Sequence, residues 1–569
     1  MIYLGGTVLL GVLLGRMVKN ASDLFSAGGR SPWWASGLSG FMTMFSANTF
    51  VVWGSIAFDL GLVAVVINLM YGVAALLAGY FVASRWKSLG VETPAHYVRL
   101  RFGAGALHFY TWSMMVFRMV GTAGALYALA KILTALMPLE EGNFLRDPAT
   151  GNLSVAWAIS IFGGLVVLYT MIGGLWAVLM TDVLQFIILN LAVLFVVPLA
   201  LARVGGVSGF IAGAPEDFFN ATGGTYTWFF LAGWVAIHFF MIGADWAFVQ
   251  RYLCVPTKRD ARKATYLFGA LYLFSPLLWL LPPMIHRVTD PGADPEQAYI
   301  LACRAVLPNG MLGLMLAAMF SATASMVSSQ LNVFSGVLTH DIYRPLARAV
   351  SAQRLVTVGR IFTVLLGAVV VAVALRIEAW GNVRTVIIGI TELMVVALFA
   401  PSLWGLFSRR IRGSAVWITG LTGFALGAVV RFGFGASGPL TAMAPLQGIA
   451  GWLAANSGTV NTLTGVVVPV VILGIVELFS RGTAPGWERV QGLPPLEVVA
   501  ADPLTIDLPA RMVGWCLIAC GAVNVSLIFV NDDNRGLIAG FSLVVAMIGI
   551  FILRGVRRLA RRRLTNAQS

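Results

Sequence analysis

Long apolar runs recur along this 569-residue chain and limit its fold more than any other feature. Most are about 20 residues long, the length that lets a helix cross a hydrocarbon layer of about 30 Å. Lipid offers the backbone no hydrogen bonds, so only helices and closed barrels span it, and runs of this length exclude a barrel. The sequence therefore predicts an all-α, polytopic, multi-pass membrane protein.

Charge predicts the orientation of the spans. The net charge is +14, which alone would be compatible with nucleic-acid binding. The basic residues instead follow the positive-inside rule, with 554–563 as the strongest inside anchor. We expect a lipid bilayer and no nucleic acid as partner, the N-terminus outside and the C-terminus inside. The expected location is the plasma membrane, which is the inner membrane in a bacterium. Fifteen spans are predicted, at 2–18, 34–57, 62–84, 105–137, 153–172, 177–201, 227–250, 264–286, 309–339, 357–377, 382–408, 413–432, 463–480, 511–530 and 536–555.

The segments between the spans are too short for a catalytic or nucleotide-binding domain. The chain lacks the G-x-x-x-x-G-K-[ST] motif of ATP-driven machines. Its four cysteines do not have zinc-ligand spacing, and no nucleophile–base pair stands out. We expect a protein that is not an enzyme, uses no organic cofactor and takes its energy from an ion gradient.

Polar residues interrupt three of the spans. Asp182 lies inside the apolar stretch 169–190, where a charge costs at least about 2.5–3.5 kcal/mol and is usually paired or functional. Glycine, serine, threonine and asparagine interrupt 34–57, and 227–250 is a second candidate for a broken helix. Helices broken at matching positions of two halves mark the central site of inverted-repeat transporters.

Several motifs resemble the sodium:solute symporter family, whose members carry solutes such as glucose, proline or sialic acid with sodium. The strongest are 169–190, with the pattern GG-x-WAV-x-x-TD-x-x-Q, and 313–343. Shorter matches follow in the correct order at 21–34, 37–50, 93–103 and 245–253. The resemblance extends from about residue 20 to about residue 410.

This resemblance implies a five-plus-five inverted-repeat core of the leucine-transporter type with flanking helices. The first repeat would be 34–201 and the second 227–408. An additional N-terminal helix and loop would occupy 1–33. Accessory C-terminal helices and a basic tail would occupy 413–569.

Family members bind sodium, the expected coupling ion, between the first and eighth core helices. The resemblance assigns to that site the carbonyls of Met42, Phe45 and Ala322 and the hydroxyl of Ser325. Met326 stands where a second hydroxyl is expected, and a thioether is a poor ligand for a hard cation. This site is therefore weakened or lost unless Thr323 or water substitutes.

The resemblance implies a second sodium site at Asp182, Ser325, Ser328 and Ser329. The three serines share one helix face because their spacing is i, i+3, i+4. Small-residue helix packing is the alternative explanation for them. Asp182 could instead pair with Arg118, or carry a proton.

The solute site is expected beside the two broken helices. The resemblance assigns Thr49 and Asp245 to it, with Asn48, Trp246 and Gln250 nearby. Arg118 could hold a substrate carboxylate with its planar fork, or form a fixed pair with Asp245, Glu392 or Asp182. His238 is interpreted as structural, and Glu392 has no assignable role.

Together these features predict sodium-coupled symport of a small polar organic solute by alternating access. A sugar or polyol is the first expectation, and a carboxylate or acidic sugar is the second. A proton-coupled or uncoupled carrier of the same fold is one alternative, and a membrane solute sensor is another. The sequence gives no prediction of oligomeric state.

Overall fold

The computed structural model of the chain is all-helical. It describes residues 29–91, 93–171, 175–308, 310–347, 351–380, 383–434, 438–441, 443–494, 503–529 and 535–568. The first predicted span, 2–18, lies outside these residues, as does most of the motif 21–34.

The main helices are numbered in chain order. They are α1 (Trp33–Thr43), α2 (Ala47–Leu60), α3 (Leu62–Ala78), α4 (Pro94–Phe102), α5 (Ala104–Thr134), α6 (Val155–Thr170), α7 (Leu175–Arg203), α8 (Gly206–Gly213), α9 (Trp228–Ala244), α10 (Trp246–Leu253), α11 (Lys258–Thr289), α12 (Ala298–Val306), α13 (Met311–Val337), α14 (Ala352–Ala374), α15 (Val383–Trp404), α16 (Gly413–Ala428), α17 (Gln447–Ala455), α18 (Ser457–Thr462), α19 (Val468–Phe479), α20 (Pro485–Gln491), α21 (Pro503–Ser526) and α22 (Arg535–Gln568). Short π-helical turns extend α3, α13 and α16 and precede α19.

Eleven helices in the described residues are long and apolar enough to cross a membrane, or thirteen if each of two bent pairs is one span. Each predicted span from 34–57 onward coincides with one of these helices, with a bent pair, or with the shorter apolar helix α6. The chain is thus a multi-pass integral membrane protein. The count of fifteen and the orientation of the termini stay predictions.

The two spans expected to be broken are broken. The axes of α1 and α2 meet at 57°, and those of α9 and α10 meet at 53°. In each pair a polar residue caps the second helix. The Ser46 hydroxyl caps α2 and the Thr49 hydroxyl accepts the Ser46 N–H in return, while the Asp245 carboxylate accepts the Ala247 N–H at the start of α10. Caps of this kind satisfy amide groups that a break leaves exposed.

An aromatic cluster packs around the first break. Phe41, at the end of α1, contacts Phe45, and Phe45 lies 4.3 Å from Trp279 of α11 between ring centroids. α11 packs against α1, α2 and α3. Aromatic packing thus holds α1, the first half of this broken span, against the unbroken helix α11.

Candidate cation and solute sites

Asp182 of α7 is buried at a junction of four helices. Its Oδ2 accepts a hydrogen bond of 2.6 Å from Ser39 of α1, and its Oδ1 accepts one from Ser325 of α13. Only 2% of Asp182 is exposed. Hydroxyl and carboxylate oxygens therefore converge here, which is the ligand chemistry that hard cations prefer.

Arg251 of α10 extends this network from the fourth helix. Its Nε donates to Ser39 Oγ at 3.3 Å, and its Nη2 donates to Ser329 Oγ at 3.4 Å. Its Nη1 donates to the Ala247 carbonyl at 2.8 Å. The guanidinium is buried, so a positive charge lies within two hydrogen bonds of Asp182. The network joins α1, α7, α10 and α13.

The three predicted serines have different partners. Ser325 donates to Asp182, and Ser329 accepts from Arg251. Ser328 donates to the Ser325 carbonyl of its own helix at 2.9 Å. All three are buried. Ser39 and Arg251 were not singled out from the sequence, although Arg251 lies in the motif 245–253 and Ser39 in 37–50.

The break between α1 and α2 faces the middle of α13. The Thr323 hydroxyl accepts the Ala47 N–H at 2.9 Å and donates to the Met319 carbonyl at 3.0 Å. The threonine considered as a substitute sodium ligand therefore also caps α2. Ala322, its neighbour, is fully buried, as are Met42 and Phe45 on the other side.

A central cavity of about 120 Å³ lies beside both breaks. Its wall is largely apolar and aromatic, as in small-molecule sites generally. Its polar wall residues are Thr43, Ser46, Asn48, Arg118, Thr122, His238, Gln330 and Thr391, and Met326 also lines it. Asn48 Oδ1 and Thr122 Oγ1 are buried and have no hydrogen-bond partner among the described residues. These two oxygens are suited to a ligand's hydroxyl groups.

Arg118 and Asp245 form an ion pair at the edge of this cavity. Arg118 Nε lies 2.7 Å from Asp245 Oδ2, and Nη2 lies 2.5 Å from the same oxygen. The Asp245 side chain is 3% exposed and that of Arg118 is 17% exposed. Asp245 therefore has two roles, because its Oδ1 also caps α10. Of the partners considered for Arg118, the structure selects Asp245.

Of the other residues considered from the sequence, Thr49 and Trp246 do not line the cavity, whereas His238, interpreted as structural, does. Thr49 is 4% exposed, and its hydroxyl accepts the Ser46 N–H in the cap of α2. Trp246 is buried against Phe334. His238 lines the cavity and bonds through Nδ1 to the Trp234 carbonyl at 2.9 Å. Its ring lies 3.9 Å from that of Tyr71.

These features, a carboxylate among hydroxyls and two broken spans beside a central cavity, agree with a comparison against known families. The sodium:solute symporter family matches residues 24–423. The chain belongs to this family of transporters.

Two similar relatives show the range of solutes within the family. The sodium/sialic acid symporter NanT of Aliivibrio fischeri is 25% identical over 440 residues, which cover 73% of this chain and 83% of that protein. The sodium/glucose cotransporter of Vibrio parahaemolyticus is 25% identical over 448 residues, covering 72% and 79% of the two chains.

A solved structure shares the fold of the symporter. A Na⁺-coupled sialic acid symporter, captured substrate-bound and outward-open, has a TM-score of 0.64 at 21% identity. The alignment covers 82% of this chain and 96% of that one. The two chains therefore share a fold.

Proposed function

We propose that the symporter uses a sodium gradient to move a neutral, hydroxyl-rich solute, a sugar or polyol, by alternating access. The Arg118–Asp245 pair carries this proposal. Its two charges neutralise each other at the cavity edge, so the cavity presents no net charge from this pair to a solute. The partnerless oxygens of Asn48 and Thr122 offer hydrogen bonds to hydroxyl groups. A buried polar group without a partner costs about 1–3 kcal/mol, which a solute hydroxyl would recover.

The proposed cation site is the junction around Asp182. Sodium would be held by the Asp182 carboxylate with the hydroxyls of Ser39, Ser325 and Ser329. These groups hydrogen-bond to one another or to Arg251. Cation binding would replace some of these hydrogen bonds with bonds to sodium and would displace the Arg251 side chain. Arg251 belongs to α10, the second half of one broken span, and Ser39 belongs to α1, the first half of the other. The ion would therefore act on both broken spans.

This link between the cation site and the solute cavity would couple sodium binding to solute binding. Sodium at Asp182 would alter α1 and α10, and the same broken spans border the solute cavity. Sodium must then raise solute affinity by the factor by which solute raises sodium affinity. The two breaks fall in the first helices of 34–201 and 227–408, which supports the proposed inverted repeats.

A carboxylate solute such as an acidic sugar is the second candidate. The Arg118 guanidinium lines the cavity and is 17% exposed. A substrate carboxylate could replace Asp245 as its partner, because a guanidinium fork binds carboxylates strongly. The relatives include both solute classes.

Uptake into proteoliposomes separates these candidates. The probes are glucose, myo-inositol and sialic acid, each with an inward gradient of sodium or of choline. We expect sodium-dependent uptake of glucose or myo-inositol. Unchanged uptake in choline would support the proton-coupled or uncoupled carrier, and binding without uptake would support the sensor.

Charge variants sharpen this test. Arg118→Gln leaves Asp245 buried without its partner, which costs about 3–5 kcal/mol, so uptake should fall at least 100-fold. The double variant with Asp245→Asn removes both charges and keeps a residue that can cap α10. It should regain at least a tenth of wild-type uptake of a neutral solute. Loss in the double variant as severe as in the single one would favour the carboxylate candidate.

A further inference from the structure

Two basic segments meet at the predicted inner end of the bundle. α3 continues through a π-helical turn, Gly79–Ala83, into a last helical segment, Ser84–Ser88 (the inner segment), which carries Arg85 and Lys87. The other segment is 258–263 at the start of α11, where four of six residues are basic. α11 packs against α3, against its π-helical turn and against the inner segment. Positive charge is therefore concentrated where these two helices reach the membrane surface.

One acidic side chain offsets only part of this charge. Asp260 is the acidic residue of 258–263, and the inner segment has none, so six basic side chains face one carboxylate. Asp260 accepts the Thr257 hydroxyl at 2.6 Å, and its own N–H donates to that hydroxyl in the cap of α11. The four basic side chains of 258–263 are exposed, as is Arg85. The patch can therefore attract an anion.

Two of the guanidinium groups are held in place by neighbouring side chains. Arg262 Nη2 donates to Ser84 Oγ at 3.3 Å, which joins the two basic segments. The Arg85 guanidinium lies 4.2 Å from the ring centroid of Phe407, within the range of a cation–π contact. A basic run at a membrane surface by itself sets only the orientation of a span. Cations that are fixed beside one another on two helices can also bind a single anionic group.

An apolar, partly aromatic surface begins at this basic patch. The Lys263 ammonium lies 5.9 Å from the ring centroid of Trp33. Phe274 is exposed on the same face of α11 as Lys263, three turns deeper in the span. Tyr80 and Phe81 of the π-helical turn are also exposed, and their rings lie 4.8 Å apart. Fixed cations above an exposed apolar face suit a ligand that has a charged head and acyl chains.

We propose that the inner end of the α3–α11 face binds an anionic phospholipid. Its phosphate would lie among Arg85, Arg262 and Lys263, and its acyl chains would cover Tyr80 and Phe81. Basic pockets between transmembrane helices on the cytoplasmic side commonly bind anionic lipid headgroups. A free phosphate would use the same cations but would leave the apolar face uncovered. The lipid site does not depend on which solute the symporter carries.

The inner segment also holds both halves of a broken span. Trp86 Nε1 donates to the Gly243 carbonyl near the end of α9 at 2.7 Å. Lys87 Nζ donates to the carbonyl of Leu253, the last residue of α10, at 2.9 Å. A lipid bound at Arg85 would restrict the segment that makes both contacts. Lipid binding would therefore stabilise the broken span α9–α10 and support transport.

Native mass spectrometry of the detergent-solubilised protein measures lipid binding directly. Phosphatidylglycerol and phosphatidylcholine with the same acyl chains differ in the net charge of the headgroup. We expect phosphatidylglycerol to bind at least tenfold more tightly. Glycerol 3-phosphate, which has a phosphate but no acyl chains, should not displace it at hundredfold excess. Equal affinity for the two lipids, or displacement by glycerol 3-phosphate, would overturn the lipid site.

Charge variants locate the bound lipid. Arg85→Gln with Arg262→Gln should weaken phosphatidylglycerol binding at least tenfold, since each basic residue near a membrane surface adds to the attraction. Arg354→Gln with Arg360→Gln is the matched control and should change the affinity less than twofold. It removes two exposed charges from the predicted inner half of α14, which packs against α5, α6 and α13. Equal weakening by the two glutamine pairs would overturn the site, because diffuse surface charge would explain the binding.

A lysine pair separates loss of charge from loss of structure. Arg85→Lys with Arg262→Lys keeps both charges and should retain at least a third of the wild-type affinity. An affinity as low as that of the glutamine pair would overturn the proposed role of charge at these two positions.

Uptake tests the link to the broken span, and this arm rests on the proposed function. Uptake of the transported probe should be at least threefold faster in liposomes of phosphatidylcholine mixed with phosphatidylglycerol than in phosphatidylcholine alone. The variant Arg85→Gln with Arg262→Gln should lose this gain. Lipid binding without any gain in uptake would overturn the link to transport and leave the lipid site standing. Lack of uptake of every probe in both liposomes would contradict the proposed function alone, because lipid binding is measured without transport.

Discussion

At the scale of single residues, Asp182 and Met326 bear in opposite ways on the proposed cation binding. Asp182 gathers hydroxyls from two helices around a buried carboxylate. Met326 brings a thioether to the wall of the central cavity, at the place where the resemblance expects a hydroxyl. The oxygen-rich junction at Asp182 is therefore the stronger candidate for the coupling ion.

Asp182→Asn should abolish stabilisation by sodium. A ligand at 100 times its Kd stabilises a folded protein by about 2.7 kcal/mol, and the amide removes the charge that attracts the cation. The measurement is the thermal unfolding temperature in sodium chloride and in choline chloride at equal ionic strength. Ser335→Ala is the control, because Ser335 is a buried serine of α13, the helix that carries Ser325, and donates to the Asn332 carbonyl of its own helix. An undiminished sodium shift in Asp182→Asn would contradict the site.

Met326→Ser should strengthen cation binding beside the first break. The hydroxyl supplies the hard oxygen that a thioether lacks, so the sodium concentration for half-maximal uptake should fall about three- to tenfold. Met326→Leu, which keeps the apolar volume, should leave that concentration unchanged. Equal sodium dependence in all three proteins would show that position 326 does not contact the cation.

At the scale of elements, the broken helices depend on caps supplied from both nearby and distant residues. Ser46 and Thr49 cap α2 locally, whereas Thr323 reaches the Ala47 N–H from α13. A helix end buried in protein needs such partners because water does not reach it. The break is therefore a property of two spans together.

Thr323→Val should destabilise the protein by about 1–3 kcal/mol, because it leaves the Ala47 N–H buried without its partner. Thr363→Val is the matched control. Thr363 is also buried, but its hydroxyl bonds to the Gly359 carbonyl within its own helix. The comparison uses thermal unfolding of both variants in the same detergent. Equal losses would mean that the bond between α13 and α2 adds no stability of its own.

At the scale of the whole molecule, the polar networks separate into two ends of the bundle. The Asp182–Arg251 network joins α1 and α10 near one end. A second cavity, lined by Tyr226, Glu392 and Asn461, lies near the beginning of α9, toward the other end. The central cavity lies between them.

The predicted orientation can be tested from both sides of the membrane. Ser208→Cys in α8 should react in intact cells with a membrane-impermeant thiol reagent, since it is placed outside. Ser351→Cys, at the start of α14, should react only after permeabilisation, since it is placed inside. Both positions are exposed. The reverse pattern would invert the predicted topology.

The sequence by itself determined the class of protein and the positions of the elements. Apolar runs of membrane-spanning length have one solution in lipid, and each predicted span from 34–57 onward has a helical counterpart among the described residues. The two breaks were predictable because candidate interruptions fall in 34–57 and 227–250, at matching positions of the two halves. Asp182 was identifiable because a charge inside an apolar span is costly.

Only the tertiary structure decided which polar groups meet. The sequence left Arg118 with three possible partners, and packing selected Asp245. The sequence offered no reason to join Ser39, Arg251 and Asp182 in one network. Nor did it pair Glu392 with Asn461, which is far from it along the chain. Periodicity records which residues share a face of one helix. The partners of a buried charge depend on how separate helices cross, and that is set by packing over the whole bundle.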